Sequence, residues 1–198
     1  MKKKVVIQII ILILLVASIG FYFYQNREKP EKPVSNEELL AEYLEFKVLD
    51  ENIPPEALEK FQKKFEVAKE KLLIDPENFY AWIDLGMMKK TVNDYQGAEK
   101  AWLHLSEIRP QNSTSFWDLG DLYHNFLKDY PKAEWAYKQA IENSMGEFQN
   151  ANYYRGLFEL YYFQYKEKKD LAKPIIEEAI KNNPDNEDLK NLWKEYYE

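Results

Sequence analysis

The 198-residue chain contains no cysteine, two histidines and six glycines. Without cysteine there are no disulfide scaffolds, thiolate zinc sites, iron–sulfur clusters or thiol nucleophiles, and two histidines fall short of a usual imidazole metal centre. The scattered glycines form no phosphate-cradling loop, and neither a nucleophile elbow nor a His-Glu-x-x-His pattern occurs. Carboxylates are plentiful but fall at positions expected to be solvated helix exteriors. No enzyme, metal, cofactor or small-molecule substrate is expected. Lys+Arg 27 against Asp+Glu 34 gives a net charge of -7, which disfavours nucleic acid, because phosphate neutralisation needs clustered cations. Strand-like alternation is missing throughout, so an all-α fold is expected.

What the chain does have is one long apolar run. Residues 5–24 (VVIQIIILILLVASIGFYFY) carry no charge, and twenty helical residues at about 1.5 Å each span a hydrocarbon core of about 30 Å. A single transmembrane helix is expected, ending in the interfacial aromatics Phe21, Tyr22, Phe23 and Tyr24. A cleaved signal peptide is the alternative, with Val16-Ala17-Ser18 as its cleavage site. Side-chain cations tie across the span: Lys2, Lys3 and Lys4 before it, Arg27, Lys29 and Lys32 after it. The α-amine breaks the tie and puts residues 1–4 in the cytoplasm, with the rest of the chain outside it. Without those three lysines the remainder holds 24 basic and 34 acidic residues, net -10, a charge that keeps it off an anionic leaflet.

Residues 25–34 (QNREKPEKPV) read as an extended, hydrated spacer. Ser35 with Glu38 forms a capping box, and Leu39, Leu40, Tyr43, Leu44 and Phe46 continue a helical pattern predicted to end near Asp50. Pro54-Pro55-Glu56 starts a second helix carrying Leu58, Phe61, Phe65, Ala68 and Leu72, which Asp75-Pro76 stops. Residues 35–76 thus form a helical hairpin.

Repetition follows. Pro-x-Asn occurs at Pro76, Pro110 and Pro184, spaced by 34 and then 74 residues, the second interval being two units with insertions. One copy reads Trp82, Leu85, Gly86, Ala98, Trp102 and Pro110, with Lys89 where the pattern has Tyr. The next reads Phe116, Leu119, Gly120, Tyr123, Ala133, Tyr137 and Ala140, with one residue inserted in the intra-hairpin turn and Met145 near the expected Pro. A third reads Tyr154, Leu157, Tyr161, Ala172, Ile176, Ala179 and Pro184, with Phe158 in place of Gly and two residues added in the turn. These positions resemble the tetratricopeptide repeat (TPR) family, membrane-anchored bacterial type. The resemblance implies a right-handed solenoid of three helix hairpins over residues 77–185, in which small residues let paired helices approach and aromatics fill the space beside them. Residues 186–198 form a capping helix with Leu189, Leu192, Trp193 and Tyr196 on one face.

The family resemblance also implies a concave face lined by the first helix of each hairpin. It places Tyr80, Ile83, Met87 and Lys90 there, then Thr114, Trp117, Asp121, His124 and Asn125, then Asn152, Arg155, Glu159 and Tyr162. The carboxylate-clamping Lys/Asn/Arg set of chaperone-binding members is missing. An aromatic-aliphatic floor beside a polar wall suits an extended segment or amphipathic helix of another protein. The expected function is a membrane-tethered protein-binding scaffold for an extracytoplasmic partner, an assembly or chaperone-like adaptor. The alternative is a structural or self-associating subunit, with Tyr80, Ile83 and Trp117 padding hairpin contacts and the groove filled by the upstream helix or by an identical chain. His104 is expected at the edge of a packing helix. Oligomeric state is left open.

Overall fold

Each Pro-x-Asn motif marks a helix start. Asn78 Oδ1 accepts the Ala81 amide at 3.0 Å, Asn112 Oδ1 that of Ser115 at 2.8 Å, and Asn186 Oδ1 that of Leu189 at 3.0 Å. Each side chain thereby satisfies an amide that the first turn leaves without a partner. In the computed structural model, which describes residues 35–144 and 151–198, these asparagines begin α3 (Phe79–Thr91), α5 (Thr114–Asp121) and α9 (Glu187–Tyr197). The intervening helices are α1 (Asn36–Leu40), α2 (Pro55–Ile74), α4 (Tyr95–Ile108), α6 (Tyr130–Asn143), α7 (Ala151–Glu159) and α8 (Ala172–Asn182). No strand occurs among the described residues, so this part of the chain is all-α. Residues 36–198 form one unit in which each helix packs on the next.

Pairs α3/α4 and α5/α6 are built on close approach. A Cβ on Gly86 would come within 2.3 Å of the Trp102 indole nitrogen on α4, and one on Gly120 within 2.4 Å of the Tyr137 ring on α6. Tyr154, Leu157, Tyr161, Ala172, Ile176 and Ala179 are all buried. On α7 the close approach falls on Gly156, whose Cβ would meet Trp117 and Tyr137 of the preceding pair.

Two expectations are corrected. The added residues of the second and third pairs do not simply lengthen the turns. α5 ends in a π-helical turn, Leu122–Leu127, and α7 in another, Leu160–Gln164, followed by a 3-10 segment, Lys166–Leu171. Winding to an i→i+5 bond absorbs an extra residue inside the helix, as the bond from the Tyr165 amide to the Leu160 carbonyl at 2.8 Å illustrates. The helix expected to run to Asp50 stops at Leu40. Beyond it the backbone bonds elsewhere: Lys89 Nζ donates to the Glu45 carbonyl at 2.6 Å, and the Leu49 amide donates to the Val92 carbonyl at 2.8 Å. Tyr43 packs on Trp82 and His104, and Phe46 on Phe65, with ring centroids 4.8 to 5.1 Å apart. Tertiary partners outcompete the local helical pattern.

Among the described residues no helix is long and apolar enough to cross a membrane. The expected span at 5–24, the spacer at 25–34 and Met145 lie outside the described residues.

Candidate functional site

The stripe Tyr80, Ile83 and Met87 follows i, i+3, i+7 spacing along α3 and so shares one helix face. Tyr80 is 74% exposed and Met87 41%, while Ile83 is half-buried against both apolar clusters of the core. Lys90, one turn further, pairs with Asp121 of α5 at 2.8 Å. Its ammonium also lies 5.3 Å from the centroid of Phe126 and 5.8 Å from that of Trp102. Asn125 is exposed and donates to the other Asp121 oxygen at 2.8 Å. Tyr80, Ile83, Met87, Lys90, Asp121 and Asn125 thus lie on α3 and α5, with Lys90–Asp121 the bridge between the two helices.

The remaining expected site residues are engaged by the fold itself. Trp117 is half-buried, its indole 5.5 Å from the Tyr137 ring and 5.3 Å from that of Tyr153. His124 is buried rather than lining an open face, with Nδ1 3.3 Å from the Tyr137 hydroxyl, and burial lowers its pKa. The π-helical turn accounts for the displacement, since residues beyond Leu122 no longer follow the 3.6-residue phase. Thr114 is half-buried and Asn152 exposed. Arg155 and Glu159 pair with each other at 2.9 Å. Tyr162 stacks on Phe158 and meets Tyr196 of α9 at 4.7 Å between centroids, so the last helix covers it.

The expectation that carboxylates lie on helix exteriors fails at three places. Asp94 is buried, where it caps α4 through the Gly97 amide at 2.9 Å and pairs with buried Lys89 at 3.2 Å. Glu134 is buried and accepts bonds from Tyr161 at 2.9 Å, from Lys138 at 2.7 Å and from Lys168. Asp118 is 8% exposed, and its Oδ2 has no partner. Burial without a donor pushes its carboxyl up to about 7, a rise that Asp121 reinforces and Lys90 opposes. The Ser115 hydroxyl and the Trp102 indole N–H are also buried without partners. A signal for Asp118 existed in the sequence: Ser115, Asp118, Leu119 and Leu122 share the i, i+3, i+4, i+7 phase of a core stripe.

Among the described residues no group of three or more histidine or acidic side chains could hold a metal. A hollow of about 430 Å³ lies at α8 and α9, lined by Glu177, Ile180, Lys190, Trp193, Lys194 and Glu198, away from the residues expected to bind a partner. No family model matches the chain, and no curated protein matches it.

Proposed function

We propose that this chain is a membrane-tethered scaffold of the TPR type that receives a peptide or helix of an extracytoplasmic protein on the face of α3 and α5. The observation that carries the reading is the apolar stripe of α3, where Tyr80 and Met87 stand in solvent and Met87 lies one turn from the Lys90–Asp121 bridge. A partly apolar face next to oriented polar groups is the surface type on which amphipathic segments dock. The TPR assignment is supported by the small-against-aromatic approaches at Gly86 and Gly120. Leu40, Tyr43 and Leu44 pack with the cluster around Trp82, as does Ile83, while Tyr80 and Met87 stay exposed.

A photo-crosslinking residue at position 80 or 87 of the full-length chain, in native membranes, is expected to capture a discrete protein that the same residue at Glu187 does not. Absence of adducts at both groove positions defeats the reading. The tether and its orientation rest on the apolar run 5–24 and the basic tail. Protease added to spheroplasts is expected to digest the helical region, and protection of that region would sink the topology.

A second reading has its own support. Trp117, His124 and Tyr162 are covered by neighbouring helices, as in a structural subunit whose groove is closed from within over α5 and α7.

A further inference from the structure

Where Lys90 of α3 meets α5, two carboxyl groups and one cation act on one another. Lys90 Nζ sits 2.8 Å from Asp121 Oδ2. Asp118, one turn before Asp121 on the same helix, is 8% exposed with Oδ2 unpartnered. The charged groups acting on it are Lys90 of α3 and Asp121 of its own helix. Other charges nearby are committed elsewhere: Glu99 of α4 is held by Tyr123 and Lys132, and Glu159 of α7 acts on His124 and Tyr137. A carboxylate buried without a donor is costly, so the group holds a proton instead. That proton stands where a second cation could.

We propose that Asp118 and Asp121 together form the seat for one basic side chain, lysine or arginine, carried by the segment that docks on this face. The inference rests on the groove reading above. Asp121 is the point of entry: its side chain is 28% exposed, and Asn125 orients its second oxygen. The incoming cation takes Asp121, Lys90 swings to the free Oδ2 of Asp118, and the Asp118 proton leaves to solvent. Below the Asp118 titration near 7 the two carboxyl groups are met by Lys90 and a proton, which docking displaces; above it two carboxylates share Lys90 until the incoming cation supplies the second positive charge. A neutral residue at that point of the partner gains nothing from Asp121, and an acidic one meets like charge.

The full-length chain in an uncharged detergent can be titrated with two probe peptides of alanine, leucine and glutamine, identical except for a central arginine in one and norleucine in the other. At pH 8 the arginine peptide is expected to bind at least about tenfold tighter. The preference should shrink at pH 5.5, where the proton on Asp118 competes. Asp118→Asn should remove that pH dependence, and Asp121→Asn should bring the two peptides within about twofold. Equal affinities in the unmodified chain, a preference independent of pH, or an arginine preference that survives Asp121→Asn overturns the seat and leaves the groove standing. Failure of both peptides to bind at either pH overturns the groove reading, and the seat falls with it.

Discussion

Single residues in this molecule are tightly constrained where two helices touch. Trp82 is fully buried, and its indole N–H donates to the Pro76 carbonyl at 2.8 Å. Trp82→Ala should cost about 3 to 5 kcal/mol through lost transfer energy and a cavity. Gly120→Val, driven into the Tyr137 ring, should cost about 1 to 3 kcal/mol. Urea melts of the full-length chain in mild detergent would measure both, and changes below about half a kcal/mol at both sites would show that these close approaches carry no stability. Asp118 makes a prediction of opposite sign. Its carboxyl titrates near 7 when folded and near 3.9 when unfolded, so the folded state binds the extra proton between those values. Stability attributable to Asp118 therefore falls as pH rises through about 4 to 7 and stays reduced above. Asp118→Asn removes the charge, and should stabilise the chain by about 2 to 4 kcal/mol at pH 8 and change it little at pH 4. His124 pulls the other way, because a buried neutral imidazole with a lowered pKa loses stability as pH falls below about 6.5. The difference between Asp118→Asn and the unmodified chain cancels that contribution. A variant no more stable at pH 8 than at pH 4, relative to the parent, would mean that Asp118 finds a donor.

At the scale of elements, what could be foreseen from sequence was what local chemistry decides. The Gly/aromatic positions at Gly86 and Gly120 lie at fixed spacings and pack as that spacing implies, and Asn186 caps the last helix. Three features escaped because distant or non-standard geometry sets them. The π-helical turns carry His124 off its expected face, since a helical wheel assumes 3.6 residues per turn. Lys90 and Asp121 were each placed on the face, but their pairing across 31 residues of sequence was not foreseeable. The segment after Leu40 loses its helix to Lys89 and Val92, more than forty residues downstream. Lys89 stands where the repeat pattern has tyrosine, and its buried ammonium answers both Asp94 and the Glu45 carbonyl. Lys89→Met should then leave a buried carboxylate and a carbonyl without their cation, at a cost of about 3 to 5 kcal/mol. Asp94 still accepts the Gly97 amide, so α4 should stay helical. Hydrogen exchange distinguishes the two effects: the Leu49 amide should exchange at least about tenfold faster while the α4 amides keep their relative protection. Unchanged exchange at Leu49 would mean that the segment is held by Tyr43 and Phe46 alone.

At the largest scale, the question is how residues 36–198 hold together when each helix packs mainly on its neighbours. Stability in such an arrangement depends on the interfaces between adjacent pairs as much as on the pairs themselves. Trp117 sits at one of these interfaces. It belongs to α5, yet its indole lies against Tyr137 of α6 and Tyr153 of α7, and a Cβ on Gly156 would come within 2.8 Å of it. A groove residue should be dispensable for folding, whereas this one joins the second pair to the third. Because the ring is only half-buried, Trp117→Ala should cost about 2 kcal/mol, less than the removal of a fully enclosed tryptophan. The loss should also be uneven. Amides of α7 and α8 should lose protection first, while those of α3 and α4, on the opposite side of α5, should exchange nearly as in the parent chain. Hydrogen exchange of the full-length variant, resolved by segment, reads this gradient. Uniform loss across all helices would mean that the unit unfolds as one block, and the hairpins are not separable. No loss anywhere, together with weakened partner capture at positions 80 and 87, would return Trp117 to the binding face and remove it from the interface. The gradient bears on the proposed docking face as well, because α3 and α5 would then keep the Lys90–Asp121 bridge and the exposed α3 stripe in place even while α7 and α8 open.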